Sequence, residues 1–166
     1  MASMGQELFH YARVLTGDVS SAEDALQDTL VAWLEQTARG RAIESPRAWL
    51  FTVLRRKAQA RAAEHPDGAV EWARQFGAAI EADPAERLML EEAFGALDRA
   101  TQEVVVLHLW EGLTFAEIAG VLHVPRGTVL SRYHRGIQEL RWRFGVEMGT
   151  KEGASGHEHI AATIPG

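Results

Sequence analysis

The chain has 166 residues, 46% of them hydrophobic, which is enough for one ordinary domain or two small ones with packed cores. It contains no cysteine, which excludes a disulfide framework and a cysteine-bearing zinc site, and no run of about 18 apolar residues that would span a membrane. The net charge of −6 argues against a nonspecific nucleic-acid coat, yet leaves room for a local basic face of modest, salt-sensitive affinity.

The charge is unevenly spread. Residues 1–64 hold 8 basic and 8 acidic side chains, and residues 65–96 hold 2 and 7. Residues 97–144 hold 6 and 5, so the acid gathers between the two halves. The N-terminus, MASMGQELFHYAR, lacks the basic-then-apolar layout of a signal peptide, and a cytoplasmic location is the expectation.

Strand signals are weak, with few alternating runs and no Asn-Gly or Asp-Gly turn, so the fold is read as all-α. A first helix is predicted over 6–16, with Leu8, Ala12 and Leu15 buried, ended by Gly17–Asp18. A Ser21–Asp24 capping box predicts a second helix over 22–37. Its apolar stripe is Leu26, Leu30, Trp33 and Leu34; a second stripe carries Asp24, Gln27, Asp28, Val31 and Glu35. On charge alone that second stripe is a solvated face. The loop TARGRAIES follows, with Arg39, Gly40 and Arg41. Ser45 and Pro46 open a third helix, with Trp49, Leu50, Val53 and Leu54 inward and Arg55, Arg56, Lys57 and Arg61 as a basic cluster. Cations near a helix C-terminus also suit its dipole, so the cluster alone is ambiguous.

His65 to Ala82 reads as a linker, with a short amphipathic turn around Trp72 and Phe76. Asp83–Pro84 starts a helix with Leu88, Ala93, Phe94 and Leu97 inward, and Asp98 opens the next, ATQEVVVLHLWEG. His108 in that apolar run is read as a packed histidine, not a ligand. Thr114 and Glu117 form a second capping box; Phe115, Ile118, Ala119 and Leu122 then repeat at helical spacing. The pattern breaks at His123–Val124, and Pro125 suits a helix start. Beyond it Val129, Tyr133, Ile137 and Leu140 fall on one side, and Thr128, Arg132 and Arg135 on another, with Arg126 at the N-terminal end. A packed helix followed by one with a polar, arginine-bearing face is the layout of a helix-turn-helix, whose second helix enters the major groove. The same pattern also fits a plain helical hairpin. The Gly-rich tail is read as flexible, and His157 and His159 in it lack a third ligand. Nucleophile–base pairs, phosphate loops and metal constellations are not visible, so no enzyme and no cofactor is expected.

The string GLTFAEIAGVLHVPRGTVLSRYHRGIQELR is similar to the −35-reading region of bacterial sigma factors. The match runs through Leu113, Thr114, Glu117, Ile118, Ala119, Val124, Pro125, Gly127, Thr128, Val129, Ser131 and Arg132. AEDALQDTLVAWLEQ resembles the helix by which the same family grips the largest catalytic subunit of RNA polymerase, and PRAWLFTVLRRKAQARA resembles its promoter-melting helix. Arg56 stands where asparagine is usual, Gln59 near a usual aspartate, Asp98 for a usual proline and Leu130 for a frequent lysine.

These segments occur in the family's order, and the chain resembles the small alternative sigma factors of the extracytoplasmic-function type in the sigma-70 family. The resemblance implies two helical domains, a region-2-like one over 1–64 and a region-4-like one over 84–144, with a linker at 65–83 and a tail at 145–166. It implies core RNA polymerase contacts at Asp24, Gln27, Asp28, Val31 and Glu35. The −10 element falls to Arg39, Arg41, Arg55, Arg56, Lys57 and Arg61, and the −35 element to Arg126, Gly127, Thr128, Ser131, Arg132 and Arg135. Promoter DNA, core RNA polymerase and an anti-sigma factor are the implied partners. Two other readings stay open: a sigma-like decoy that titrates an anti-sigma factor, and a stand-alone helix-turn-helix repressor.

Overall fold

A computed structural model describes residues 3–62 and 83–148, and all regular structure among them is helical. In chain order the helices are α1 Met4–Thr16, α2 Val19–Ala38, α3 Pro46–Ala62, α4 Pro84–Gly95, α5 Arg99–Leu109, α6 Phe115–Leu122 and α7 Arg126–Met148. The linker reading, Asp83 apart, and the tail beyond Met148 with its two histidines lie outside the described residues. Helix α7 continues four residues into the stretch read as tail.

Helices α1, α2 and α3 pack as one three-helix unit. Helix α1 starts earlier than its apolar pattern predicts because Ser3 and Gln6 form a capping box: the Ser3 amide donates to Gln6 Oε1 at 2.8 Å. Leu8, Tyr11, Ala12, Val14 and Leu15 are buried, and Gly17 closes the helix in the left-handed region at φ 85°. The Ser21–Asp24 box is not used. Asp18 is the cap instead, its carboxylate taking the Ser21 amide at 2.8 Å, so α2 begins at Val19 and Asp24 is left on the surface. The buried side of α2 is narrow: Ala22, Ala25 and Thr29, with Trp33 half-buried edge-on to Trp49 of α3 at 5.6 Å. Leu30 and Leu34, expected in the core, are 46% and 64% exposed. Small residues let α2 approach the other helices closely, and the leucines are rotated outward.

The second unit is built around α5, in which every residue from Thr101 to Leu107 is buried. Helix α7 lies across it with Gly136 at the crossing, where a Cβ would come within 2.8 Å of the Thr101 methyl and 3.0 Å of a Val105 methyl. Helix α4 also packs on α7 through Leu90, Ala93 and Phe94; Leu88, expected inside, is 57% exposed. The predicted Thr114–Glu117 box closes α6, with the Thr114 amide on Glu117 Oε2 at 2.8 Å. His123 ends α6 at φ 54°, the only non-glycine with positive φ among the described residues. Pro125 precedes the first turn of α7, and its carbonyl takes the Thr128 amide at 2.9 Å. His108 is packed as expected: it stacks on Phe115 at 4.3 Å, and its Nδ1 lies 2.9 Å from the Leu113 carbonyl.

The two units touch. Helix α3 packs on α6, and one contiguous apolar cluster runs through both halves.

Candidate nucleic-acid interface

Three surfaces carry the predicted residues. The first is the outer face of α2. Asp24, Gln27, Val31 and Glu35 are exposed and Asp28 is partly so; their i, i+3, i+4, i+7 and i+11 spacing sets them in one line. Val31 is 54% exposed, and Leu30 and Leu34 stand beside it. The face is therefore an acidic stripe with an apolar ridge, a mixture that suits a protein partner better than water alone. Periodicity could not reveal the ridge, because an apolar stripe meant for a partner has the same spacing as one meant for the core. Asp28 already has a tie within the chain, to Arg61 of α3 at 3.0 Å, and Glu35 faces Arg39 at 3.9 Å.

The second surface is α3 and the loop before it. Arg39, Arg41 and Arg56 are exposed. The four cations of the α3 cluster do not share one face, because successive residues are about 100° apart on a helix. Arg61 turns toward α2, and Arg55 turns into the C-terminal half. There Arg55 Nε donates to Glu103 Oε1 at 2.7 Å and Nη2 to Oε2 at 3.2 Å, a two-pronged grip. The Tyr11 hydroxyl donates to the same Oε1 at 2.6 Å. Burial pushes the Tyr11 phenol well above its ordinary range, and the Glu103 charge pushes it further, so it stays a neutral donor.

The third surface is α7. Val129, Tyr133, Ile137 and Leu140 are buried as predicted. Arg126, Gly127, Ser131 and Arg135 are exposed, and Thr128 and Arg132 partly so. Thr128, Ser131, Arg132 and Arg135 form one i, i+3, i+4, i+7 face. Arg135 is braced sideways, its Nη2 3.2 Å from Asp98 Oδ2 and 3.0 Å from the Thr101 hydroxyl. Burial raises the Asp98 carboxyl, but hydrogen bonds from Thr101 and the charges of Arg135 and Arg132 outweigh it and hold the group below its ordinary value. The brace fixes the polar face of α7 to the N-terminus of α5.

A second polar cluster, which sequence reasoning missed, joins the halves beside the first. His10 Nδ1 and Glu111 Oε1 are 2.6 Å apart, and Arg47 donates to the Glu111 carbonyl while pairing with Glu7 at 3.0 Å. Glu111 is buried, and burial raises its carboxyl although the contact with His10 pulls the other way. A faint signal existed for Glu103: a carboxylate directly before the run VVVLHL must find a partner when that helix is buried.

The chain matches the family model for sigma-70 region 2 over residues 1–64 and that for sigma-70 region 4 over residues 87–140. Among curated relatives, the extracytoplasmic-function (ECF) RNA polymerase sigma factor SigL of Mycobacterium tuberculosis is 34% identical over 142 residues, covering 81% of this chain and 80% of its own. The ECF RNA polymerase sigma factor SigK of Mycolicibacterium vanbaalenii is 30% identical over 142 residues, covering 78% and 71%. Among solved structures, the sigma factor RpoE of Bartonella quintana, in complex with the anti-sigma factor NepR, shares the fold at a TM-score of 0.62 and 20% identity, covering 86% of this chain and 92% of that one. The three surfaces thus sit on the two-part helical frame of a sigma-70-type transcription factor. The chain belongs to the extracytoplasmic-function sigma factors of the sigma-70 family. It is an alternative sigma factor and not an enzyme: it directs promoter-specific initiation and makes or breaks no bond itself.

Proposed function

We propose that the chain divides this work among the three surfaces at the boundaries read from the sequence, a region-2 domain over 1–64 and a region-4 domain over 84–144. Asp24, Gln27, Asp28, Val31 and Glu35 bind core RNA polymerase, with Leu30 and Leu34 adding apolar contact. Arg39, Arg41, Arg55, Arg56, Lys57 and Arg61 engage the −10 element. Arg126, Gly127, Thr128, Ser131, Arg132 and Arg135 engage the −35 element, the N-terminal residues of α7 nearest the base edges and the arginines nearest phosphates.

The observation that carries this reading is the outer face of α2. Its acidic line and apolar ridge lie exposed on a helix whose fully buried residues are all small. The face of α7 supports the promoter half, because it keeps a groove-sized row of polar residues in solvent.

No helix among the described residues is long and apolar enough to cross a membrane, and work on chromosomal promoters implies a cytoplasmic place. The Bartonella relative was solved with an anti-sigma factor, which supports a regulator of that kind for this chain. The test is binding of the purified protein to core RNA polymerase by gel filtration and titration. A stoichiometric complex is expected, weakened at least about tenfold by Asp24→Arg, as for the loss of a central interface contact. No complex with core polymerase contradicts the reading.

A further inference from the structure

The closed contact between the halves occupies a residue that the promoter reading needs. Arg55 of α3 presents its guanidinium fork to both oxygens of Glu103, and the Tyr11 hydroxyl completes the cradle from α1. A fork of this geometry accepts a phosphate as readily as a carboxylate. We propose that Arg55 and Tyr11 form an anion site on the N-terminal half that takes a promoter-strand phosphate when the halves part, and that Glu103 fills it as a built-in phosphate mimic while they are closed. The proposal rests on the promoter reading of α3.

Three observations support it. The side-chain pairs that cross the contact run one way: Tyr11, Arg55 and His10 of α1 and α3 meet the carboxylates of Glu103 and Glu111 from α5 and the turn after it, while Arg47 reaches the Glu111 backbone carbonyl and pairs with Glu7 of its own half. The C-terminal half therefore offers two carboxylates to the basic side of the N-terminal half, as a nucleic-acid strand would. Next, the ion pair at the contact can be parted. Arg55 keeps 23% of its side chain in solvent, and on opening both it and Glu103 regain water, so neither half is left with a stranded charge.

The third observation is reach. The −10 and −35 elements lie about 25 base pairs apart, roughly 85 Å at 3.4 Å per pair. A compact body of the described residues is only about 35 Å across. Both elements cannot be held at once by the closed form. Engaging the promoter therefore requires parting the halves, and parting them frees Arg55.

The test uses the full chain without polymerase. Its lack of cysteine allows Gln59→Cys and Gln138→Cys, both at exposed positions, to carry one spin label on each half. The unaltered interface should give one short inter-label distance. Glu103→Gln, and independently the isosteric Tyr11→Phe, should shift population to longer distances. Affinity for a mixed-sequence single-stranded oligonucleotide at low salt should rise about tenfold in Glu103→Gln, the factor that one hydrogen bond to a charged group commonly carries. The gain should vanish in Glu103→Gln combined with Arg55→Gln. Distances and affinities unchanged in both Glu103→Gln and Tyr11→Phe overturn the proposal, as does a gain that survives loss of Arg55. Neither outcome touches the sigma reading, which stands or falls on polymerase binding.

Discussion

Helices α3 and α7 carry the two arginine-bearing faces proposed to meet the promoter, and the closed chain keeps them in opposite states. On α7 the row Thr128, Ser131, Arg132 and Arg135 faces outward, and the ties of Arg135 to Asp98 and Thr101 brace the row without covering it. On α3 the cations are dispersed around the helix, and Arg55 and Arg61 are held by carboxylates of other helices. The difference follows from what lies behind each helix. Helix α7 rests on an apolar seam with α5, close-packed enough to need Gly136. Helix α3 meets the C-terminal half partly through charges that water can solvate equally well. One seam is made to stay shut and the other to open.

The largest expected effect comes from breaking the permanent seam. Gly136→Val forces its side chain into the stiff methyls of Thr101 and Val105 and should cost about 2 kcal/mol or more in urea unfolding. The separable surfaces should behave otherwise. Leu34→Asp on the exposed ridge should weaken core polymerase binding about tenfold, ~1.4 kcal/mol, while moving unfolding by less than about 0.5 kcal/mol. A large stability loss there would return Leu34 to the core and break the contrast. His123→Gly should stabilise the chain by about 1 kcal/mol in thermal melts, because His123 holds a left-handed conformation that costs glycine nothing.

The smallest effect is at Asp98. Its carboxyl is held below its ordinary value of 3.8, so its stabilisation is complete above that pH and drains as the pH falls through the lower folded value. Asp98→Asn should keep the cap, cost under about 1 kcal/mol at neutral pH and flatten the acid limb of an unfolding curve.

The all-helical fold and the helix-turn-helix were legible because their signals are local. Thr114 and Glu117 are three residues apart, and the buried row of α7 repeats at helical spacing. The exposed face of α7 followed, since on a helix the face opposite a buried row must be the outer one. The first helices were less legible. Asp18 displaced the expected Ser21–Asp24 cap, a choice between two sound caps that sequence spacing does not decide. Leu30 and Leu34 were assigned to the core because hydrophobicity does not say whether an apolar stripe meets its own chain or another. The contact of Arg55 and Tyr11 with Glu103 was invisible for a different reason. Arg55 and Glu103 are 48 residues apart and Tyr11 and Glu103 are 92 apart, so only the packing of the halves brings them together.

The most direct test of the whole account is run-off transcription with purified core RNA polymerase and this protein, on a pool of genomic fragments from its own source. The account predicts initiation at specific sites that disappears with Asp24→Arg on α2 and with Arg132→Ala on α7, while both variants keep the wild-type unfolding curve. Tight polymerase binding with no initiation on any fragment would contradict it and point to a decoy that occupies an anti-sigma factor instead.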